Sequence, residues 1–530
     1  MNCFQLYNAG GVFMNKVLRR TAFVLAFASQ VLANGAPMDE VKTFQSTYDG
    51  TTQPYRLFVP EASPAAATTP RPLLVVLHGK GVDHHAWFNF TPVKDHAGRR
   101  GYVVAAPLGR GDWFYRGPGE QDVLDTIAEV KRLIAIDPDR VYLAGHSMGG
   151  WGTWWIALRN PDLFASIVPM AGWAPPGTHG DPATGPDFLG NALHLDPLII
   201  HDADDPILPV SESQAAAAAL ARAGISHALR VERGYGHASK MIGDNFDRIF
   251  AWFETRRRAA QPDIVRFSTR SPARGRAYWI EIMETARFPE YATVEASVAS
   301  TGTVKIVARH TRTLRLHLDA MPHGTQTTAP VRVQLDGQTF EASPGDKTLC
   351  LRTEAPTGTA WRRITDDEAE AARRDSPAFQ TVNDHPIAGL PDDATSESLA
   401  AAVAGALQKR GEFGTLALPV ALFRRPPGTL TRDKLLDVCL IPDDRLAAVK
   451  MNSSTLLALD GSEIVPYGTI RIYGNKPTST EKRDNMTVWM PQFLATRLVD
   501  QKQAQSLPTV GLSPTITRLL AAPDPDRPEP

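Results

Sequence analysis

Cysteine is nearly absent: the 530 residues contain three. Cys3 lies in a leader-like segment, leaving Cys350 and Cys439 in separate candidate domains, where both are expected as free thiols. That scarcity excludes a disulfide scaffold and a cysteine-ligated zinc site. An excess of charge of either sign is also missing. Lys and Arg number 56 against 57 Asp and Glu, a net charge of −1. The balance argues against a basic footprint for nucleic acid and against a polybasic membrane patch. No run after the N-terminus is long and apolar enough to cross a bilayer. What remains is ordinary: 43% hydrophobic and 21% charged residues, the composition of a globular protein, at a length that implies two to four domains.

The first residues carry their own pattern. Met14-Asn-Lys-Val-Leu-Arg-Arg20 is a basic stretch, Thr21 to Ala33 is an apolar run too short to span a membrane, and Val31-Leu32-Ala33 supplies small residues for cleavage. This is the grammar of a secretory signal over residues 1–36, and it predicts a secreted or periplasmic protein.

From residue 41 to 260 the chain alternates strands with helices. Val41–Tyr48 and Tyr55–Pro60, joined by Asp49-Gly50, read as a hairpin; Leu73-Leu-Val-Val-Leu-His78 is apolar throughout, as in a strand covered on both faces. Strands follow at 103–106, 140–144, 165–170, 197–201 and 227–232, with helices at 122–134, 151–159, 213–223 and 242–258. The expected fold class is α/β, a doubly wound and mostly parallel sheet. Closely spaced alternating strands then predict a small β-sandwich over 264–362. A mixed α/β region over 380–515, with a helix starting at Thr431, and a Pro/Asp-rich disordered tail at 521–530 complete the chain.

Gly145-His146-Ser147-Met148-Gly149-Gly150 sits between an apolar strand and a helix. A G-x-S-x-G turn in that context is a nucleophile elbow, which exposes a serine on a strained turn at the start of a helix. A serine hydroxyl needs a base, and the order in this fold is serine, acid, histidine. The acid belongs at the end of a later strand, where His201-Asp202-Ala203-Asp204-Asp205-Pro206 offers three aspartates. Asp205 is the choice; Asp202 and Asp204 are expected as solvated turn residues. His237, in Gly234-Tyr235-Gly236-His237, is the base. Met148 N–H and Lys80 N–H, the latter in the His78-Gly79-Lys80-Gly81 loop, are the expected oxyanion donors. Phe114, Tyr115 and Trp173 follow strand ends and are candidates to line a substrate pocket. His84, His85 and His96 have no such context and are expected at the surface. No metal site and no cofactor is expected.

With these pieces the region from Val41 to Arg258 resembles the α/β-hydrolase superfamily. Within it, the resemblance is to the secreted polyhydroxybutyrate-depolymerase-like and feruloyl-esterase-like carboxylesterases, which are related to the prolyl-oligopeptidase catalytic domain. The likeness rests on the His78–Gly81 loop, the elbow with its Trp151-Gly152 helix, Asp205 in Asp-Pro-Ile-Leu-Pro, and the Gly234–His237 loop. It implies a serine carboxylesterase acting on a small or polymeric ester, with no nucleic-acid or membrane partner. Nothing in the sequence fixes an oligomeric state. Two rivals stand beside it. One is a prolyl-oligopeptidase-like peptidase, which lacks a preceding β-propeller repeat here. The other is a binding protein on a hydrolase scaffold, which has no need of an intact serine, acid and histidine. Residues 384–500 resemble the C-terminal domain of the five-prime nucleotidase family in Leu430–Leu435, Met451–Leu457 and Ile470–Lys476. They depart from it at Pro419–Arg424 and at Pro442-Asp443, and the partner metallophosphatase domain is absent from the chain.

If the leader reading is right, mass spectrometry of exported protein will find a mature N-terminus close to Asn34. Recovery of the full-length chain from the cytosol alone would contradict it.

Overall fold

Eight strands from the first half of the chain join one sheet. In chain order they are β1 (Met38–Gln45), β2 (Thr52–Val59), β3 (Arg71–Leu77), β4 (Val103–Pro107), β5 (Ile136–His146), β6 (Ser166–Met170), β7 (Leu198–Asp202) and β8 (Ala228–Glu232). Their spatial order is β1-β2-β4-β3-β5-β6-β7-β8. β2 runs antiparallel to both neighbours, and the pairings from β4 to β8 are all parallel. The computed structural model describes residues 37–379 apart from short stretches at 62–68, 176–177, 179–185, 289, 323–328, 356–357 and 359. After 379 it describes mainly one helix and six strands. The leader at 1–36, the helix expected from Thr431, Cys439 and the tail at 521–530 lie outside the described residues.

The apolar runs of the central strands have a direct cause. Leu73, Val75, Leu77, Val141 and Leu143 feed the core on one face of the sheet. Leu74, Val76, Tyr142 and Ala144, the alternate residues of the same strands, feed the core on the other. A strand buried on both faces has no polar position to spare. Helices α1 (Ala86–Phe90), α2 (Val93–Arg100), α3 (Pro118–Leu133), α4 (Met148–Arg159), α5 (Ser211–Arg222), α6 (Lys240–Asp244) and α7 (Phe246–Glu254) surround the sheet. α1 and α2 are not among the expected helices, and others differ in their bounds. α3 starts four residues early because Pro118 occupies its first position, where the missing N–H costs nothing. The closing helix is two, broken at Asn245, whose side-chain amide caps the Met241 carbonyl at 3.0 Å.

The region after Arg258 forms two five-stranded sheets. One has the order β10 (Arg276–Ala277), β11 (Ile280–Thr285), β14 (Thr311–His317), β17 (Thr348–Thr353) and β18 (Trp361–Ile364); the other runs β16 (Gln338–Ala342), β15 (Val331–Leu335), β13 (Val304–Arg309), β12 (Ala292–Val298) and β9 (Ile264–Thr269). Trp279, Val294, Leu316, Leu335 and Trp361, from both sheets, share one core. The single strand expected over Ala277–Met283 is interrupted at Tyr278, whose φ of 56° no regular strand accommodates. Helix α8 (Asp366–Arg374) opens with a reciprocal capping box between Thr365 and Glu368. Helix α9 (Ser396–Lys409) inserts Leu399, Ala400, Val403 and Ala404 into the core that backs β3 and β5. Strands β19 (Thr415–Pro419), β20 (Leu446–Met451), β21 (Glu463–Ile464), β22 (Gly468–Gly474), β23 (Met486–Pro491) and β24 (Gln505–Ser506) make a further sheet of order β21-β22-β19-β23-β20-β24.

The β-rich region is tied to the first unit by buried polar bonds. Asn191 donates to the carbonyls of Leu158 and Ser268 at 2.7 and 2.9 Å, and accepts from the Ser268 N–H at 2.8 Å. Tyr278 donates its hydroxyl to the Pro161 carbonyl at 3.0 Å. Glu120 on α3 is 2% exposed and accepts from Arg159 at 2.9 Å, Arg274 at 2.9 Å and the Trp155 indole at 3.2 Å. Burial alone would raise its pKa, but the two guanidinium groups outweigh that and hold it below the usual carboxylate range. A carboxylate depressed in the folded state adds stability above its unfolded pKa and loses it as pH falls through the folded value. Glu120→Ala strands two arginines beside apolar surface, and is expected to destabilise the protein by about 3 kcal/mol. Urea denaturation at pH 7 checks this, and the deficit relative to the native chain should shrink in strong acid.

Candidate active site

The end of β5 and the start of α4 meet with no room for side chains. A Cβ on Gly145 would lie 2.1 Å from the Gly149 carbonyl oxygen, and one on Gly149 would lie 2.2 Å from the Leu77 carbonyl oxygen. Both positions therefore require glycine. Between them Ser147 adopts φ 60°, ψ −120°, a conformation that costs a non-glycine residue on the order of 1–3 kcal/mol. The turn is held by a bond from Ser147 N–H to the Met170 carbonyl at 2.9 Å. Ser147 thus stands at the carboxyl edge of the sheet, immediately before the first residue of α4.

His237 reaches the same place from the loop after β8. Gly236, at φ 58°, turns that loop back over the sheet edge. The ring of His237 packs on the ring of His146, Ser147's neighbour, with centroids 4.8 Å apart. Its Nδ1 donates to Asp205 Oδ2 at 2.6 Å, which leaves Nε2 as the free lone pair. The His237 side chain is 19% exposed and the Asp205 side chain 0%. Asp205 Oδ1 accepts the N–H groups of Ile207 and Leu208 at 2.8 and 2.9 Å. Burial would raise the Asp205 pKa, but hydrogen bonds from His201, His237 and the Leu208 N–H outweigh it and hold the carboxyl far below its ordinary range. It is an anion at every working pH.

The other two aspartates separate clearly. Asp204 is exposed and accepts the Gly234 N–H at 3.2 Å. Asp202, expected as a solvated turn residue, is 0% exposed. Its two oxygens accept the N–H groups of Asp204 and Tyr235 at 2.8 and 3.0 Å, so it pins the histidine loop to the acid loop. A turn residue with that task must be buried, because both turns close over it.

The loop after β3 runs along the elbow. A Cβ on Gly79 would lie 3.6 Å from Ser147 Cβ, so the His78–Gly81 loop passes beside the serine at Gly79, one residue before Lys80. Several contacts brace that loop from the segment after β4. The His78 ring nitrogens lie 2.8 Å from the Gly79 carbonyl and 2.9 Å from the Leu108 carbonyl. Gly81 N–H donates to Asp112 at 2.8 Å, and the Tyr115 hydroxyl donates to the His78 carbonyl at 3.0 Å. Tyr115 has no exposed surface, and burial pushes its phenol far above the usual range. It therefore braces the His78–Gly81 loop and exposes no surface, which corrects the pocket-lining expectation. Phe114 is 1% exposed and Trp173 7%, their centroids 5.7 Å apart. This pair packs together under the strand ends, with only Trp173 retaining an accessible edge.

The remaining histidines also depart from expectation. His84 is 9% exposed, and His96 lies against the rings of Phe246 and Phe250 at 5.1 and 6.3 Å. His146 is 9% exposed, and desolvation drives its pKa down to about 3. Among the described residues, Asp83, His84 and His85 form the one group whose ligand atoms lie within 4.8 Å of each other. Arg56 stands 3.5 Å from His85 Nδ1, and Asp83 already accepts the His85 N–H at 2.9 Å, so the group is poorly suited to a cation. His146 and His201 are the residues of the site that sequence reasoning missed. Their sequence signal is a histidine that closes a run without charged residues, Val141–Gly145 or Pro197–Ile200.

Parts of the chain are similar in sequence to known proteins. Residues 90–176 match the Prolyl oligopeptidase family. The esterase NocK of Nocardia uniformis subsp. tsuyamanensis is 30% identical over 173 residues, covering 30% of this chain and 47% of that protein. The bifunctional acetylxylan esterase/xylanase XynS20E of Neocallimastix patriciarum is 33% identical over 105 residues, 19% of this chain and 16% of its own. The poly(3-hydroxybutyrate) depolymerase of Ralstonia pickettii is 34% identical over 145 residues, 22% and 28% of the two chains. This chain thus spans less than half the length of each of these relatives. With its sheet order and its serine elbow, the unit over residues 38–258 resembles an α/β-hydrolase domain, and parts of it are similar to esterases and to the prolyl oligopeptidase family.

Proposed function

We propose that the protein is an exported serine esterase that cleaves carboxylic esters through an acyl-enzyme. The observation that carries the reading is the bond of 2.6 Å from His237 to a buried, ionised Asp205, with the His237 ring resting on the residue next to a strained Ser147. In this reading His237 Nε2 takes the Ser147 proton as the hydroxyl attacks the ester carbonyl, then returns it to the departing alkoxide. Water, activated by the same nitrogen, releases the acid. Asp205 holds the ring in its Nδ1–H tautomer and stabilises the imidazolium. Met148 N–H and Lys80 N–H receive the oxyanion, the second on a loop braced by Asp112 and Tyr115. Esters are favoured over peptides by the names of the sequence relatives. Feruloyl or acetyl groups on polysaccharide, polyesters and small esters all fit this chemistry. The β-rich region and the C-terminal region are assigned positioning of the substrate and support of the core.

The partition is tested by substrate. Purified mature protein should hydrolyse p-nitrophenyl acetate and butyrate and leave a peptide anilide intact; preference for the anilide would favour the peptidase reading. Ser147→Ala should abolish labelling by a fluorophosphonate probe while its cooperative unfolding is retained, and labelling that survives the substitution would remove Ser147 from its role.

The choice of acid has its own check. Asp205→Asn is expected to lower kcat by about 10,000-fold, the scale set by loss of the correct histidine tautomer. Asp204→Asn should be nearly silent, and Asp202→Asn should act mainly on thermal stability. An activity ranking with Asp202 or Asp204 first would reassign the acid.

A further inference from the structure

His201 is the last residue but one of β7 and is 0% exposed. Its Nε2 lies 3.0 Å from the Leu208 carbonyl oxygen and 3.4 Å from Asp205 Oδ2. Both are acceptors, so Nε2 carries the ring proton. Nδ1 is then a lone pair, and the Ser213 hydroxyl, 2.7 Å away on α5, donates to it. Ser213 is itself 3% exposed. Every polar atom of this buried ring is satisfied in one neutral tautomer.

The consequence falls on Asp205. Backbone N–H groups of Ile207 and Leu208 fix its Oδ1, and Oδ2 is left to face His237. A carboxylate held through one oxygen can still rock about its Cβ–Cγ bond. The His201 Nε2–H, whose shorter contact is the Leu208 carbonyl, also lies within 3.4 Å of the second oxygen, from the end of β7. We infer that His201, braced by Ser213, is a positioning residue that locks Asp205 Oδ2 against His237 and keeps the acid a carboxylate. This deepens the triad assigned above and rests on it. Among the groups that lower the Asp205 pKa, His201 comes ahead of His237 itself. The titratable groups around this acid are His201, His237 and His146, all from strand ends or the histidine loop.

The test compares two substitutions in the full-length mature protein, with p-nitrophenyl acetate as substrate. His201→Leu removes the donor and keeps an apolar filler; His201→Gln keeps an N–H able to reach the same acceptors. His201→Leu is expected to lower kcat by about 10- to 100-fold, the scale of losing an outer-shell partner, with KM changed less than about twofold. Without its second donor Oδ2 becomes the stronger base for His237, so the acidic limb of the kcat/KM profile should move to higher pH. The low-field proton resonance of His237 Nδ1–H should weaken or shift as well. His201→Gln is expected to stay within about threefold of the native rate, with profile and resonance preserved, because the donor is retained. Ser213→Ala, which leaves the ring in place, should give a several-fold loss and a smaller shift of the same resonance. If His201→Leu fails to unfold cooperatively, the Ser213→Ala resonance and pH profile decide, and an unchanged pair overturns the inference. A folded His201→Leu with native kcat and profile also overturns it, as does a His201→Gln as impaired as His201→Leu. Asp205→Asn, run in parallel, separates the two levels: if it too is silent, the triad falls, and if it alone is inactive, only the role of His201 falls.

Discussion

Everything at the site depends on one close approach, the meeting of β5 and α4 across Gly145 and Gly149. Backbone carbonyls stand where their Cβ atoms would be, at 2.1 and 2.2 Å, so the helix can start directly above the strand. Ser147 is the only residue between them that carries a side chain outward, and it does so in a conformation that L-residues avoid. The strain is held in place by the cores on both faces of the sheet, which fix β5 between β3 and β6. An elbow on a poorly packed sheet would relax and lose its aim.

Around that fixed point Asp205 and His237 come from two separate loops, and the structure ties those loops to each other. Asp202 joins them through backbone N–H groups, and Asp205 joins them through His237. Neither aspartate touches water, so each carboxylate is paired with as many donors as its position allows. The loop after β3 follows the same logic: Asp112 and the buried Tyr115 hydroxyl bond to it, and the His78 ring ties it to Leu108.

The later parts of the chain are bound into this arrangement. Glu120 holds Arg274 from the β-rich region, Asn191 bonds to β9, and α9 contributes four buried side chains to the core behind β3 and β5. Loss of these elements would uncover apolar surface of the first unit itself.

The sequence by itself determined the alternation of strands and helices, the elbow at Ser147, and the order in which an acid and a histidine had to follow. Those are local facts: apolar runs, glycines at fixed offsets and a turn of defined type leave their mark within a few residues. The region after Arg258 was legible as strands for the same reason, since period-two alternation is local. Its division between two sheets was not, because the crossing from β13 to β14 passes through the left-handed residue His310, which propensity does not mark. Tertiary structure alone decided the rest. It separated Asp205 from Asp202, which look alike in sequence and are both buried, by placing one against His237 and the other against the Tyr235 N–H. It moved Tyr115 from a pocket to the underside of a loop, and it brought His201 and Ser213 to the acid from a strand and a helix. Each of those roles is a contact between residues far apart in the chain or on different elements. Sequence spacing records which side chains are available; only packing decides which of them meet.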